Sequence, residues 1–480
     1  MAEKYPPECQ STASVSSQRN FEFITVSGPQ LKADPETQKR VRSHAQTDYR
    51  RRNPYPRHQI SVQLDTALLE RPTQTSSLCG SEHLMTPGPI TLLDASRSDP
   101  FSTFNIDRSS RSRRLWDHVY DGSCAKFRTL IEIGFIDLAR ETIAISQMLS
   151  ASAWHLVHHL RCEQDPADDD AKYTMIAAHS LQQKLNNAAT NTTDEVIITV
   201  LASAAYANLI KDPQLFRIHM DGLSQILRER ARLCNLEFSS VLRIALFWIE
   251  VNGCFRADGK PQFPQPYSLL AARSQLKFPA SDISQLSSNE AFEAVEDSPA
   301  VLYVRKMLRN LNAIIDAELL VQDLWSNVLF SVFHLTPILH DIFSMAHGSV
   351  HDAILIRQRE CFRLAAILYI SNIRGRFDFE PGSGMLYGSK LQMMLNSPGM
   401  MPSWGRSNVS CIWILTVAAC SECLFDDLRN YFLARLLECV RVAGISSFQD
   451  FLVTIIEFGW CEGAFGQILY SLGSQMQFDQ

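Results

Sequence analysis

Thr192-Thr193-Asp194-Glu195-Val196-Ile197-Ile198-Thr199-Val200-Leu201-Ala202-Ser203-Ala204-Ala205-Tyr206-Ala207-Asn208-Leu209 decides the fold class of this chain. Its opening is a Thr-x-x-Glu pattern. The Thr192 hydroxyl can accept from the N–H of Glu195 while the Glu195 carboxylate reaches back to the N–H of Thr192, a capping box that starts a helix at Val196. No glycine or proline interrupts the run to Ile210, and no two-residue alternation marks it as a strand, so it reads as a buried helix.

Working outward, the same three- and four-residue apolar spacing recurs on both sides. Towards the N-terminus lie Phe135–Cys162 and Asp168–Ala188, the latter opening with three aspartates suited to the positive end of a helix dipole. Towards the C-terminus follow Pro213–Leu233, Leu236–Arg256, Ala300–Leu319, Val321–Phe343, Asp352–Ile373, Val409–Leu424, Asp426–Val442 and Ser447–Trp460. Short connections imply antiparallel neighbours. The expectation is an all-α fold: a large multi-helix domain of antiparallel-packed helices over residues 113–480. Ala257–Pro299, rich in proline, serine and acids, reads as a long loop dividing it.

Residues 1–112 differ in kind. Ten of the 21 prolines fall in the first 100 residues with serine clusters at Ser11–Ser17 and Ser76–Ser81, so an extended or disordered region is expected. An exception is Pro35–Arg52, which Asp34 can cap and in which Pro35 suits the first helical turn. Within it, Lys39, Arg40, Arg42, Arg50, Arg51 and Arg52 stand against Asp48, a net +5 inside a total of −6, which leaves −11 for the rest.

Hydrophobic residues make up 46 % of the 480, enough to bury a core and to exclude global disorder. The twelve cysteines are scattered through apolar stretches and no charged start precedes an apolar leader, which points to free thiols in a reducing compartment. The longest apolar runs, Val196–Leu209 and Val409–Cys420, are too short to cross a bilayer, so a soluble intracellular protein without a membrane is expected.

Several segments carry a family resemblance in their order. Phe21-Glu22-Phe23-Ile24 and Pro29 precede Arg40-Val41-Arg42-Ser43-His44-Ala45 and Arg50-Arg51-Arg52; Asp99-Pro100-Phe101 with Ile106 follows. His219-Met220-Asp221-Gly222-Leu223 with Arg228 and Arg230 comes next, then Trp413-Ile414-Leu415, Tyr431-Phe432 and Phe458-Gly459-Trp460. Together they resemble the fungal-specific transcription factor domain family. The resemblance implies a nuclear transcriptional regulator, often of metabolic or secondary-metabolite genes, with other transcription factors or the transcription machinery as partners. Two departures matter. Glu229-Arg230-Ala231 stands where the family has two glycines, and through residue 124 only Cys9, Cys79 and Cys124 occur, too few for the six-cysteine zinc cluster that reads DNA in many members.

Each remaining candidate has a plainer reading beside it. The Lys39–Arg52 cations suit nuclear import or weak phosphate contact without a reading module, or a solvated run docking on the acidic body. Cys420-x-x-Cys423 lacks a second ligand pair and reads as core. His155, His158, His159 and Cys162 have metal-like spacing, yet histidines on amphipathic helices are common. Gly382–Lys390 imitates a phosphate loop with one residue too many and no preceding strand, and reads as a loop. Trp154, Trp248, Trp325, Trp413 and Trp460 fall in apolar segments and read as core, although an apolar pocket between helices could take a small-molecule effector. No nucleophile elbow or dinucleotide fingerprint occurs, so neither catalysis nor a cofactor or metal is expected. The competing expectation is a helical accessory protein or enzyme whose site is assembled from dispersed residues.

Overall fold

In the computed structural model the described residues are 109–162, 166, 168–233, 238–274, 294–321, 323–379, 384–405 and 409–476. The segment Lys39–Arg52 and residues Phe21, Phe23, Asp99, Pro100 and Phe101 lie outside them. Every regular element among the described residues is helical, and none is a strand. All lie within one unit, Thr86–Gln480.

Local chemistry sets the breaks. Ser109 Oγ accepts from the N–H of Ser112 at 3.1 Å and opens α1 (Ser110–Tyr120). Helix α2 (Ala125–Ile133) ends at Gly134, whose φ of +88° is the left-handed stop that glycine adopts at least cost. The expected helix Phe135–Cys162 is divided. Helix α3 (Phe135–Arg140) stops where the Thr142 hydroxyl donates to Ala139 O at 2.9 Å and accepts from Ala144 N at 3.2 Å, capping α4 (Ala144–Trp154). The chain then winds as a π turn over His155–His159.

Helices α5 (Asp169–Leu185), α6 (Asp194–Leu209), α7 (Pro213–Leu233) and α8 (Ser240–Ala257) follow near their expected positions. The capping box does not form. Thr193 caps α6 by backbone alone, and Glu195 instead accepts from Lys184 Nζ at 2.6 Å and Ile143 N at 3.4 Å, tying together the ends of three helices.

The expected loop 257–299 contains the short helix α9 (Tyr267–Ala271), and its residues 275–293 lie outside the described ones. Beyond it come α10 (Pro299–Leu319) and α11 (Val328–Ser344). Helix α11 opens to a π turn at Ser331–Leu335 because Pro337 lacks an N–H and its ring crowds the carbonyl four residues earlier. The remaining helices are α12 (Ile354–Gly375), α13 (Gly384–Leu395), α14 (Met400–Ser403), α15 (Val409–Ala419), α16 (Asp426–Ala443), α17 (Phe448–Gly459) and α18 (Glu462–Gln475).

Residues 384–390, expected in a loop, are helical. A Cβ at Gly384 would stand 2.1 Å from Cys423 Sγ, and one at Gly388 would stand 2.6 Å from Leu424 Cδ2. These glycines let a helix approach its neighbour closely, and their spacing imitates a phosphate loop for that reason alone.

Neighbours in sequence pack as antiparallel neighbours in space: α4 on α5, α6 on α7, α12 on α13, α15 on α16. Helix α12 is the axis of the C-terminal part. Almost all of its residues from Arg357 to Arg374 are buried, so it is covered around its circumference instead of along one stripe, and its buried charges, Glu360 and Arg363 among them, must find partners inside. Helix α8 packs on α11 across the 257–299 segment, and α10 packs on α12, α17 and α18. No single helix among the described residues is long and apolar enough to cross a membrane.

Candidate functional site

The family-motif positions divide into two places. On α7, Phe216, Met220, Leu223 and Leu227 form the buried stripe, and a Cβ at Gly253 of α8 would overlap the Phe216 ring at 2.0 Å. Leu223 is therefore core. His219 is half-buried, with burial lowering its imidazole pKa. Gly222 has open space around it, Arg228 donates to Ser224 Oγ at 2.9 Å, and Arg230 pairs with Asp194 at the start of α6.

Trp413 and Trp460 meet elsewhere, in an aromatic cluster. Tyr369 of α12 lies 5.6 Å from the Trp413 ring, 5.9 Å from Trp460 and 4.8 Å from Phe465, and Trp413 Nε1 donates to Gly459 O at 2.9 Å. That bond satisfies the indole N–H where water cannot. These tryptophans hold α12, α15 and α17 together.

Two polar clusters are built into the body. In the first, Arg363 of α12 is fully buried and donates to both Asp258 oxygens at 2.8 and 2.9 Å and to both Glu360 oxygens at 2.8 and 2.7 Å. Lys390 adds a bond to Asp258 at 2.7 Å. Burial would raise the Asp258 carboxyl, but the bonds and charge of Arg363, then Lys390, outweigh it and hold the group at about 2. Asp258 itself occupies the left-handed position that ends α8, with φ of +52°. Nearby, Glu250 accepts from Gln262 N at 2.5 Å and Phe263 N at 3.2 Å, and burial pushes its carboxyl up to about 7.

The second cluster runs Asp121, His118, His155. Asp121 Oδ2 lies 2.5 Å from His118 Nδ1, and His118 Nε2 lies 2.9 Å from His155 Nδ1. His118 Nδ1–H donates to the carboxylate, and a second hydrogen bond, His118 Nε2 to His155 Nδ1, joins the two rings. The π turn stacks His159 on His155 at 4.7 Å. Burial, then the His118 and His159 charges, lower His155 to about 4, so the ring is neutral at pH 7. His155 and His159 line a recess of about 50 Å³ with Ser123, Lys126 and Asp378. His158 turns instead to Trp154, 5.2 Å away.

Sequence reasoning found the histidines after residue 154 but not His118 or Asp121, because their pairing with His155 is tertiary and leaves no local pattern. Among the described residues no group of three or more His, Cys, Asp and Glu side chains is arranged to hold a metal ion. Cys420 is buried, as expected of a core cysteine, and Cys423 is half-buried against α13.

Three further concavities matter. A nearly filled apolar cavity of about 20 Å³ lies among Phe127, Leu130, Met148 and Trp248. A cavity of about 280 Å³ lies between α14, α15 and α16. The largest, about 510 Å³, is an open groove of Glu422, Asp426, Arg429, Leu433, Gln467 and Ser471 between α16 and α18. No family model, no curated protein and no solved structure matches this chain.

Proposed function

We propose that this chain is a nuclear transcriptional regulator or co-regulator, serving a metabolic or secondary-metabolite gene set and acting by recruitment, not by catalysis. The observation that carries the reading is the groove between α16 and α18. Its lining is charged and amide-rich, and two exposed aromatic residues, Phe425 (72 %) and Tyr470 (50 %), are the sequence neighbours of its lining residues Asp426 and Ser471. The order of the family-like segments supplies the transcriptional context, with other transcription factors or the transcription machinery as partners. Lys39, Arg40, Arg42, Arg50, Arg51 and Arg52 supply import or a weak, sequence-independent DNA contact. A small-molecule effector is a further partner on this reading, but the apolar cavity beside Trp248, at about 20 Å³, is too nearly filled to hold one as it stands. The test is the cellular location of the tagged chain beside a variant with Arg40, Arg42, Arg50, Arg51 and Arg52 changed to alanine. A nuclear wild type with a cytoplasmic variant supports the reading, and a wild type that stays cytoplasmic under every condition removes it.

A second reading, an accessory protein or enzyme, draws on the Asp121–His118–His155 chain, which ends in a neutral imidazole lining a recess. Loss of a measurable activity in a His155→Gln variant that keeps its fold would favour it.

A further inference from the structure

Two thiols from different helices meet in the wall of the cavity between α14, α15 and α16. Cys411 Sγ of α15 lies 3.7 Å from Cys439 Sγ of α16. They are 28 positions apart in sequence, so no local motif announces them. Cys411 is buried and Cys439 half-buried, which gives the pair one protected and one accessible sulfur. Met401 lines the same cavity of about 280 Å³, with Trp404, Glu438 and Val442.

We propose that Cys411, Cys439 and Met401 form a binding site for a soft monovalent cation of the Cu(I) class. Thiolate and thioether sulfur together select such an ion over harder divalent metals. Geometry supports three donors over two. Metal–sulfur bonds of roughly 2.3 Å would place collinear sulfurs about 4.6 Å apart, so sulfurs at 3.7 Å subtend an angle near 110° at the ion and leave a further position open. Met401 is the further soft side chain in the wall of the same cavity. Binding replaces two S–H bonds by two S–Cu bonds and releases both protons to solvent; no electron is transferred. Glu438, the hard donor in the wall, is engaged by Arg435 Nη1 at 3.2 Å.

The experiment titrates the full chain with Cu(I), anaerobically and under ascorbate, against a chromogenic Cu(I) chelator, with Trp404 emission as a second readout. Cys439→Ser, Cys439→Ala, Met401→Leu and the control Cys423→Ser are compared, each checked by far-UV circular dichroism. The expected result is that wild type and Cys423→Ser take up one equivalent more than either Cys439 variant, with that step quenching emission. Met401→Leu keeps the equivalent but competes at least about tenfold more weakly. Uptake by a folded Cys439 variant equal to wild type overturns the proposal, as does binding of Zn(II) in preference to Cu(I) at these residues.

Discussion

Arg363 of α12 grips Asp258 through both carboxylate oxygens, at 2.8 and 2.9 Å, across 105 positions of sequence. The pair joins the end of α8 to the central helix of the C-terminal part, and Glu360 and Lys390 complete its hydrogen bonds. Removing one partner from such a site leaves a charge buried without compensation. Asp258→Asn keeps the shape and tolerates the left-handed backbone. It is expected to destabilise the chain by about 3–5 kcal/mol, measured as a fall in the urea midpoint.

Glu250 gives the stability a slope near neutral pH. Its folded-state pKa is raised by burial from 4.5 to about 7, so the native state holds its proton more tightly than the unfolded state. Native stability is favoured below pH 4.5, falls as pH rises through 7, and is level above that, a change of about 3 kcal/mol. In Glu250→Gln the amide oxygen can still accept from Gln262 N, and the decline between pH 4.5 and 7 should vanish from a series of denaturation curves.

His155 and His334 act in the opposite sense at lower pH. Burial lowers both from 6.5 to about 4, so the unfolded chain binds protons that the native chain refuses. Their contribution is complete above pH 6.5 and is lost as pH falls towards 4. Nuclear magnetic resonance of the imidazole protons should find His155 and His334 still neutral at pH 5. Titration of either near 6.5 in the folded protein would contradict the burial described for them.

Gly253 is required by its neighbour. The Cβ of Gly253→Ala would enter the Phe216 ring, so α7 and α8 must separate or the ring must leave its place. A loss of about 1–3 kcal/mol is expected from chemical denaturation. The double variant with Phe216→Leu should recover part of it.

The fold class was legible because helical period is local: α6, α7 and α16 fall close to where apolar spacing puts them. What was not legible depends on distant partners. Glu195 looked like half of a capping box and binds Lys184 and Ile143 instead. Gly384 and Gly388 looked like a loop because sequence alone does not show Cys423 and Leu424 lying against them. Thr142 divides α3 from α4 by hydrogen bonds that no apolar period reports. Helices α1, α2 and α18 were missed although α1 and α2 are amphipathic, because they are short, and with α1 went His118 and Asp121. The basic residues Lys39–Arg52 were conspicuous in sequence, as charge runs always are, and their role is a matter for the cell.

The central claim is that this chain acts at genes. Chromatin occupancy of the tagged full chain, mapped across the genome beside a Phe425→Asp variant, tests it most directly. The proposal predicts occupancy at a limited set of promoters, reduced in the variant if recruitment uses the exposed Phe425 that precedes α16. Uniform background, with wild type and variant indistinguishable in every growth condition, would contradict it.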